Sequence, residues 1–395
     1  MTTERALFFR HLAQTSPSPM GLEISEAKGC LLIGTNGKEY LDLISGIAVS
    51  YLGHGNSAII DAIKTQTEKH LHLMVYGEFI QSPQVQYGDA ILQLLPAALD
   101  NIYFVNSGSE AIDGAIKLAR RFTGRSGIIA FRNAYHGGTL GAISINGSEK
   151  YKCAFGKLLP GVVMADFGSE DVLEHIDESI SCVIMEVIQA EAGVFSTKKE
   201  WLEKVAQKCR QQGVLLVFDE VQTAFGRTGK MFAFEHFDVI PDILVLGKAL
   251  GAGMPLGAFI SSKEIMLSLS HDPVLGHITT FGGHPVSCAA GSAGLGFLQR
   301  NDFQQQAEEK GKLFAEELKH RLIKDIRQHG LLIACDFDDS SLNIKVIKAC
   351  IKRGLLTDWF LYNDKCMRIC PPLTITHQEI YMACKKINEV LEEIT

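Results

Sequence analysis

Apolar and polar positions alternate in blocks along the middle of the chain, where short apolar runs precede longer segments of helical periodicity. The runs are apolar on both faces and bounded by Gly, Asp, Asn or Ser, which is typical of strands in a sheet covered on both sides. They are Ile102–Val105, Ile128–Phe131, Val162–Ala165, Cys182–Glu186, Val214–Asp219 and Ile243–Leu246. The helical segments are Glu110–Phe122, Asp171–Ser179 and Lys199–Gln212. This alternation predicts an α/β fold with a doubly wound, mostly parallel central sheet.

The two ends of the chain follow a different pattern. A strand-like pair flanks the turn Thr35–Lys38. The C-terminal segments are a helix at Phe303–Ile323, a strand at Leu331–Phe337, and helices at Ser341–Arg353 and Gln378–Glu393. We therefore predict a large α/β domain over residues 55–290 and a smaller α+β domain built from residues 1–54 and 291–395.

Composition excludes several classes of protein. The 395 residues are 46% hydrophobic and 21% charged, which is typical of a globular chain rather than a disordered one. The longest apolar runs are far shorter than the roughly 20 residues that a membrane span needs, so we expect no membrane partner. The net charge of −7 argues against nucleic acid as a partner.

The pattern of cysteines and the N-terminal residues indicate the cellular compartment of the protein. Ten cysteines are scattered between Cys30 and Cys384 without a C-x-x-C pair, which favours reduced, buried thiols over disulfides or a metal site. Met1–Arg5 lacks the basic-then-apolar order of a signal peptide. We therefore expect a cytoplasmic protein without a metal centre.

Chemistry-bearing residues follow the predicted strands, where ligands bind in open α/β sheets. Ser107-Gly108-Ser109 opens a helix, and its N–H groups and the positive helix end suit a phosphate. Taken alone, the segment is also explained as the serine N-cap of an ordinary helix. The chain has no G-x-S-x-G elbow, and Gly251–Gly253 lacks the third glycine of a dinucleotide fingerprint.

Two further residues have this placement. Lys248 follows an apolar strand, and a lysine in a partly apolar pocket forms a Schiff base with a carbonyl compound. Asp219 ends a strongly apolar strand, where a carboxylate needs a cationic partner, and a protonated pyridine nitrogen is one. Taken singly, a surface lysine and an ion pair with Arg or Lys explain these residues as well.

The segment Asp219–Gly229, followed by Pro241–Ile243 and Gly247-Lys248, resembles the signature of class III aminotransferases, which are pyridoxal-phosphate enzymes of fold type I. The resemblance extends from about Gly34 to Thr376. Further matching stretches are Ser45–Val49, Leu52–Gly55, Asn106–Ala111, Thr280–Gly283 and Arg368–Leu373.

The resemblance implies pyridoxal 5'-phosphate as cofactor. Lys248 would form the Schiff base and move the proton, and Asp219 would bind the pyridinium nitrogen. Thr280 would reach the phosphate of the neighbouring subunit, which implies a homodimer with shared active sites. The other implied cofactor contacts are Ser107, Gly108 and Ser109 at the phosphate, Val221 and Tyr135 on the two ring faces, His136 beside Tyr135, Gln222 near the phenolic oxygen, and Glu186 as a support.

The resemblance also implies substrate contacts. Arg368 would bind the α-carboxylate of glutamate or 2-oxoglutarate, and Glu191 would pair with this arginine while an ω-amine is bound. Ile47 and Thr279 are the other implied substrate contacts. These roles predict ping-pong transfer between an ornithine- or acetylornithine-like donor and 2-oxoglutarate.

Two departures from the family pattern leave the donor open. Gly138 stands where the family carries an arginine that holds a substrate carboxylate, and Ile47 replaces a substrate-contacting tyrosine. A diamine, a lysine-like ω-amine and an acylated ornithine all remain candidates, as do dimer and tetramer. The alternative functions are an aminomutase or decarboxylase of the same fold, or a non-catalytic protein that binds pyridoxal phosphate.

Overall fold

The computed structural model describes residues 3–394. Met1, Thr2 and Thr395 of the predicted smaller domain lie outside the described residues. The strands are β1 (Ile24–Lys28), β2 (Leu31–Gly34), β3 (Glu39–Asp42), β4 (Asn101–Val105), β5 (Gly127–Phe131), β6 (Val162–Ala165), β7 (Ile180–Met185), β8 (Ile188–Gln189), β9 (Phe195–Ser196), β10 (Leu215–Asp219), β11 (Ile243–Leu246), β12 (Gly257–Ser261), β13 (Asp325–His329), β14 (Leu332–Asp336), β15 (Leu355–Leu356), β16 (Asp358–Phe360) and β17 (Asn363–Ile369). The helices are α1 (Glu4–His11), α2 (Ser45–Ala48), α3 (Ser57–Lys69), α4 (Ser82–Leu92), α5 (Gly108–Thr123), α6 (Leu140–Ser144), α7 (Glu149–Lys152), α8 (Val172–His175), α9 (Lys199–Gln212), α10 (Lys263–Met266), α11 (Pro285–Gln299), α12 (Phe303–Glu317), α13 (Ser340–Lys352) and α14 (His377–Ile394).

A seven-stranded sheet forms the centre of the fold, with the strand order β4-β12-β11-β10-β7-β5-β6. Neighbouring strands are parallel except on the two sides of β12, which runs antiparallel to β11 and β4. The six predicted apolar runs all lie in strands of this sheet, which confirms the mostly parallel α/β fold. The sequence did not predict β12. Its direction follows from the connection Gly247–Leu256, which is too short for the crossover that a parallel partner needs.

Helices cover both faces of this sheet, and a separate apolar core lies on each face. Ile112 and Ile116 of α5 pack with Val217 of β10 on one side. On the other side Leu202 of α9 packs with Phe218 of β10. Successive residues of β10 therefore point into different cores, which explains why the strand is apolar throughout.

One predicted helix is wrong over most of its length. The sequence predicts a helix at Asp171–Ser179, whereas α8 covers only Val172–His175. Asp177 ends the segment because its carboxylate accepts hydrogen bonds from both the backbone N–H and the hydroxyl of Ser179. Such an Asx turn competes with helical hydrogen bonding.

The terminal regions form two four-stranded sheets, β1-β2-β3-β15 and β13-β14-β17-β16. The predicted strand pair around Thr35–Lys38 is present as β2 and β3. The short strand β15 pairs in parallel with β3 and so joins the two ends of the chain. The predicted boundary of the large domain, residue 290, lies inside α11, which packs against α3 and α4. The division into two domains stays a prediction. Within residues 3–394, no helix is long and apolar enough to cross a membrane.

A buried arginine ties the loop after β10 to both terminal regions. The guanidinium of Arg227 donates hydrogen bonds to the carbonyl oxygens of Leu331, at 3.0 Å, and Pro371, at 2.6 Å. It also contacts the hydroxyl of Ser45 at 3.4 Å. Burial lowers the pKa of Arg227. Arg227 thereby holds the segments that contain Ser45, Leu331 and Pro371 next to the loop that follows β10.

Candidate active site

A cavity of about 190 Å³ lies at the carboxyl ends of β7, β10 and β11, where the parallel order of these strands brings their following residues together. Ten of the residues to which the resemblance assigns a cofactor or substrate contact line it. They are Gly108, Ser109, Tyr135, His136, Glu186, Glu191, Asp219, Val221, Gln222 and Lys248. Gly137, Gly138, Ala190 and Thr223 complete the lining.

Asp219 is a buried carboxylate with two protein contacts. Its Oδ2 lies 2.7 Å from Nδ1 of His136, and its Oδ1 accepts a hydrogen bond from the backbone N–H of Val221 at 3.0 Å. Asn146 fixes the His136 segment, because its side chain accepts from the backbone N–H of His136 and donates to the carbonyl of Gly137. The carboxylate is therefore held in one orientation at the edge of the cavity.

Lys248 follows β11 directly and has a left-handed backbone conformation with a φ of +46°. Its amine donates a hydrogen bond to the side-chain oxygen of Gln222. Burial lowers the pKa of Lys248, and the negative charge of Glu191 partly opposes this effect. A lysine with a lowered pKa has more of its amine in the neutral, nucleophilic form, which suits reaction with an aldehyde.

The N-terminus of the long helix α5 opens onto the same cavity. The hydroxyl of Ser107 accepts a hydrogen bond from the backbone N–H of Glu110, so Ser107 is the N-cap and does not line the cavity. Ser109 does line the cavity. Its hydroxyl forms a hydrogen bond with the hydroxyl of Thr139 and accepts another from the backbone N–H of Thr139. A Cβ at Gly108 would lie 2.7 Å from the side chain of Val221, so this position admits only glycine without rearrangement.

Glu186 supports the wall that carries Tyr135. Its two carboxyl oxygens accept hydrogen bonds from the backbone N–H groups of Tyr135 and Ala190, both at 2.8 Å. Burial raises the pKa of Glu186, and the nearby charge of Asp219 raises it further.

Arg368 lies behind Glu191 as seen from the cavity. Its Nη1 and Nη2 contact Oε1 and Oε2 of Glu191 at 2.7 Å and 3.0 Å, and its Nε contacts Oδ1 of Asp358 at 2.9 Å. Burial acts to raise the pKa of Glu191, but Arg368 outweighs it and the pKa is lowered. Burial raises the pKa of Asp358 to about 6 although Arg368 opposes the shift.

Asp358 was not among the residues predicted from the sequence. It lies directly opposite Arg368 across the antiparallel pair β16–β17. An acidic residue ten positions before an arginine, with a turn between them, was the available signal.

Three implied contacts lie away from this cavity. Ile47 is 37% exposed and belongs to the turn Ser45–Ala48, in which every φ is positive. The hydroxyl of Thr279 accepts a hydrogen bond from the side chain of Asn106 at 3.1 Å. Thr280 is exposed on the surface, and its carbonyl oxygen lies 2.8 Å from Nε2 of His72. The single chain therefore does not bring Ile47, Thr279 or Thr280 to the group around Lys248.

The fold has close counterparts among solved structures. It matches the ornithine aminotransferase from Toxoplasma gondii with a TM-score of 0.91 and 30% sequence identity, covering 100% of this chain and 95% of that one. That structure shows partial occupancy of pyridoxal phosphate at its active site. Fold and cavity thus define a pyridoxal-phosphate-dependent transaminase of fold type I.

Sequence comparison gives the same result at the level of the family. The model of the class-III aminotransferases matches residues 12–391. The acetylornithine aminotransferase of Caldanaerobacter subterraneus subsp. tengcongensis is 36% identical over 386 residues, covering 93% of this chain and 94% of that one. The Bacillus subtilis enzyme of the same name is 37% identical over 376 residues, covering 94% and 95%. The chain belongs to the class-III aminotransferases, which are pyridoxal-phosphate enzymes acting on amino acids and keto acids.

The residues of the cavity fit this cofactor. An amine for its aldehyde, a buried carboxylate for its ring nitrogen and a helix N-terminus for its phosphate all face one space. The side-chain nitrogens Nε2 of Gln222 and His136 are buried without a hydrogen-bond partner in the part of the chain that the structure describes. Buried polar atoms of this kind are satisfied when a polar ligand binds.

Proposed function

We propose that the protein transfers an amino group between an ornithine- or acetylornithine-like donor and 2-oxoglutarate by a ping-pong mechanism. The observation that carries this proposal is the buried pair Glu191–Arg368 beside Lys248. A guanidinium matches a carboxylate through two parallel hydrogen bonds, so Arg368 suits the α-carboxylate of glutamate or 2-oxoglutarate. The acetylornithine aminotransferases among its relatives support this donor class.

Bound pyridoxal phosphate supplies an aldehyde that takes up the amino group and a ring that withdraws electrons from the substrate carbon. The amine of Lys248 would bind this aldehyde. Once released by the substrate amine, Nζ of Lys248 would take the proton from the substrate carbon and deliver it to the former aldehyde carbon. Asp219 would accept the hydrogen bond of the ring nitrogen and keep that nitrogen protonated, and His136 holds the carboxylate in place.

Glu191 gives the site two charge states for two kinds of substrate. Glu191 covers Arg368, which leaves no uncompensated cation beside an ω-amine donor. For 2-oxoglutarate to bind, Glu191 turns away and the substrate carboxylate takes its place on Arg368. The two half-reactions thus share one site, as ping-pong transfer requires.

We propose a homodimer in which Thr280 contributes to the phosphate site of the neighbouring subunit. Large apolar side chains are exposed close to Thr280, among them Phe281 at 54%. Phe281 packs against the ring of His72, whose Nε2 contacts Thr280. Exposed apolar surface of this kind is typical of subunit interfaces.

We also propose a cytoplasmic location. All ten cysteines are free, which supports a reducing compartment.

The visible spectrum of the purified protein, before and after addition of L-glutamate, tests the proposal. We expect a yellow protein that bleaches with L-glutamate and recovers its colour with 2-oxoglutarate. A yellow protein that L-glutamate does not bleach would contradict the assigned roles of Arg368 and Glu191. A decarboxylase or aminomutase would leave 2-oxoglutarate unconsumed in the presence of an amine donor.

A further inference from the structure

Three consecutive residues of β16 hold the guanidinium group of Arg368. Oδ1 of Asp358 accepts a hydrogen bond from Nε at 2.9 Å, and the carbonyl oxygen of Trp359 accepts one from Nη2 at 3.0 Å. The ring of Phe360 lies against the same group, with Cζ of Arg368 4.6 Å from the ring centroid. The side chain of Arg368 is thus held by its own hairpin, independently of Glu191.

The main chain of Arg368 is fixed by the same strand pair. Asp358 lies directly opposite Arg368 in the register of β16 and β17. The hydroxyl of Thr357, next to Asp358, donates a hydrogen bond to the carbonyl oxygen of Arg368 at 2.6 Å. The contact between the two charged side chains therefore follows from the strand register and needs no adjustment of the backbone.

Glu191 is the partner of Arg368 that comes from outside this hairpin. Its backbone is fixed, because its carbonyl oxygen accepts a hydrogen bond from the N–H of Tyr362 at 3.1 Å. Its side chain lines the active-site cavity, whose open volume of about 190 Å³ gives the carboxylate space to turn. Glu191 can therefore leave Arg368 by rotation of its side chain alone.

The carboxylate of Glu191 occupies a place with three hydrogen-bond donors. Two are Nη1 and Nη2 of Arg368, at 2.7 Å and 3.0 Å, and the third is the backbone N–H of Leu361 at 2.9 Å. A substrate carboxylate that replaces Glu191 meets the same donors only if the guanidinium keeps its position. Of the two side-chain hydrogen bonds that Arg368 then retains, the one to Asp358 is between charged groups and therefore the stronger.

We propose that Asp358 is a positioning residue for the 2-oxoglutarate half-reaction. Its hydrogen bond to Nε keeps the guanidinium of Arg368 in place while the substrate carboxylate replaces Glu191. Arg368 is then the fixed part of this exchange and Glu191 the moving part, and Asp358 acts through Arg368 without touching the substrate. The inference rests on the proposed transaminase function, because it concerns the binding of the α-carboxylate.

The substitutions Asp358→Ala and Asp358→Asn test this role. Alanine removes the acceptor at Nε, whereas asparagine keeps an oxygen acceptor and removes the charge. The matched control is Asp338→Asn, which alters an exposed carboxylate paired with Lys365. Each holoenzyme is measured with 2-oxoglutarate and with the amine donor that the wild-type protein accepts, L-ornithine or N-acetylornithine. Calorimetry gives the dissociation constant of glutarate, a dicarboxylate without a reacting group.

For Asp358→Ala we expect the KM for 2-oxoglutarate and the dissociation constant of glutarate to rise about tenfold, with kcat within about twofold of the wild-type value. The single-turnover rate and the KM for the amine donor should not change, because Glu191 covers Arg368 in that half-reaction. Asp358→Asn should raise the KM for 2-oxoglutarate no more than about threefold, since its amide oxygen still accepts from Nε. Asp338→Asn should behave as the wild-type protein does.

Three results would overturn the inference. An unchanged KM for 2-oxoglutarate in folded Asp358→Ala would show that the other contacts are sufficient to hold Arg368. Equal losses with 2-oxoglutarate and with the amine donor would show a general structural role. A loss in Asp358→Asn as large as that in Asp358→Ala would assign the effect to charge rather than to position.

Two measurements keep these outcomes separate from other failures. Circular dichroism establishes that each variant is folded, and Asp358→Ser replaces an unfolded Asp358→Ala, because its shorter side chain also leaves Nε without this acceptor. If the proposed function is wrong, the wild-type protein will transfer no amino group to 2-oxoglutarate. If only the present inference is wrong, Arg368→Ala will raise the KM for 2-oxoglutarate and Asp358→Ala will not.

Discussion

Nδ1 of His136 lies 2.7 Å from Oδ2 of Asp219, and both side chains are buried. The two residues are 83 positions apart. Asp219 ends β10 and His136 follows β5, and β7 lies between these two strands in the central sheet. The contact leaves the carboxylate of Asp219 ordered by the protein before any ligand is bound. A preorganised charge stabilises a transition state without the cost of reorientation during the reaction.

Asp219→Asn should reduce the rate of amino transfer by about 100-fold or more, because the ring nitrogen loses its anionic partner. The single-turnover rate of bleaching with L-glutamate measures this loss. Asp166→Asn, which alters an exposed carboxylate, is the control and should react as the wild-type protein does. A normal rate in Asp219→Asn would contradict the role assigned to this residue.

Lys248→Ala should lower turnover at least about 1,000-fold, because both the amine that binds the aldehyde and the proton carrier are lost. Circular dichroism should show an unchanged fold, and weak cofactor binding should persist. The exposed residue Lys263 provides the control Lys263→Ala, which should remain active. Turnover at the wild-type rate in Lys248→Ala would end the aminotransferase mechanism proposed for this site.

Arg368→Ala should raise the KM for 2-oxoglutarate about 100-fold, since the substrate carboxylate loses a charge-assisted contact. The same change leaves Glu191 and Asp358 without their cation, so the variant must be shown to be folded.

Arg368→Lys separates these effects, because it keeps the charge and loses the paired hydrogen bonds. We expect an intermediate KM for this variant. Arg353→Ala removes a surface arginine and serves as the control. An unchanged KM in folded Arg368→Ala would show that another group binds the α-carboxylate.

His277 should make the stability of the protein depend on pH. Its ring packs against Tyr103 and Phe259, and both ring nitrogens are buried without a partner among the described residues. Burial lowers the pKa of His277 to about 4, and Lys117 contributes in the same direction. The unfolded chain therefore takes up a proton near pH 6.5 while the folded chain does not, so stability is lost as the pH falls from 6.5 towards 4.

His277→Phe should reduce this loss, because a phenyl ring fills the same apolar site and binds no proton. Melting temperatures between pH 7 and pH 4 measure the effect, and we expect the variant to lose several degrees less than the wild-type protein over this interval. His175→Gln, at an exposed position, should leave the pH dependence unchanged. A steeper loss in His277→Phe would mean that the folded protein gains from protonation of His277.

Local pattern was sufficient to predict six of the seven strands of the central sheet and the edge of the sheet at which Asp219 and Lys248 lie. A strand covered on both faces must be apolar at every position, so β5, β7, β10 and β11 were visible as continuous apolar runs. In a parallel sheet the residue after each strand lies at the same edge. Asp219 and Lys248 could therefore be placed together without knowledge of any side-chain contact.

The remaining parts of the site depend on contacts between distant parts of the chain. The direction of β12 follows from the length of its connection, and the periodicity of its residues contains no information about direction. The pairing of Arg368 with Asp358 requires the register of the β16–β17 hairpin, and its pairing with Glu191 joins residues 177 positions apart. Only tertiary packing brings these three charged groups together in a buried position, because burial and hydrogen bonding are properties of the surroundings that folding brings to a residue.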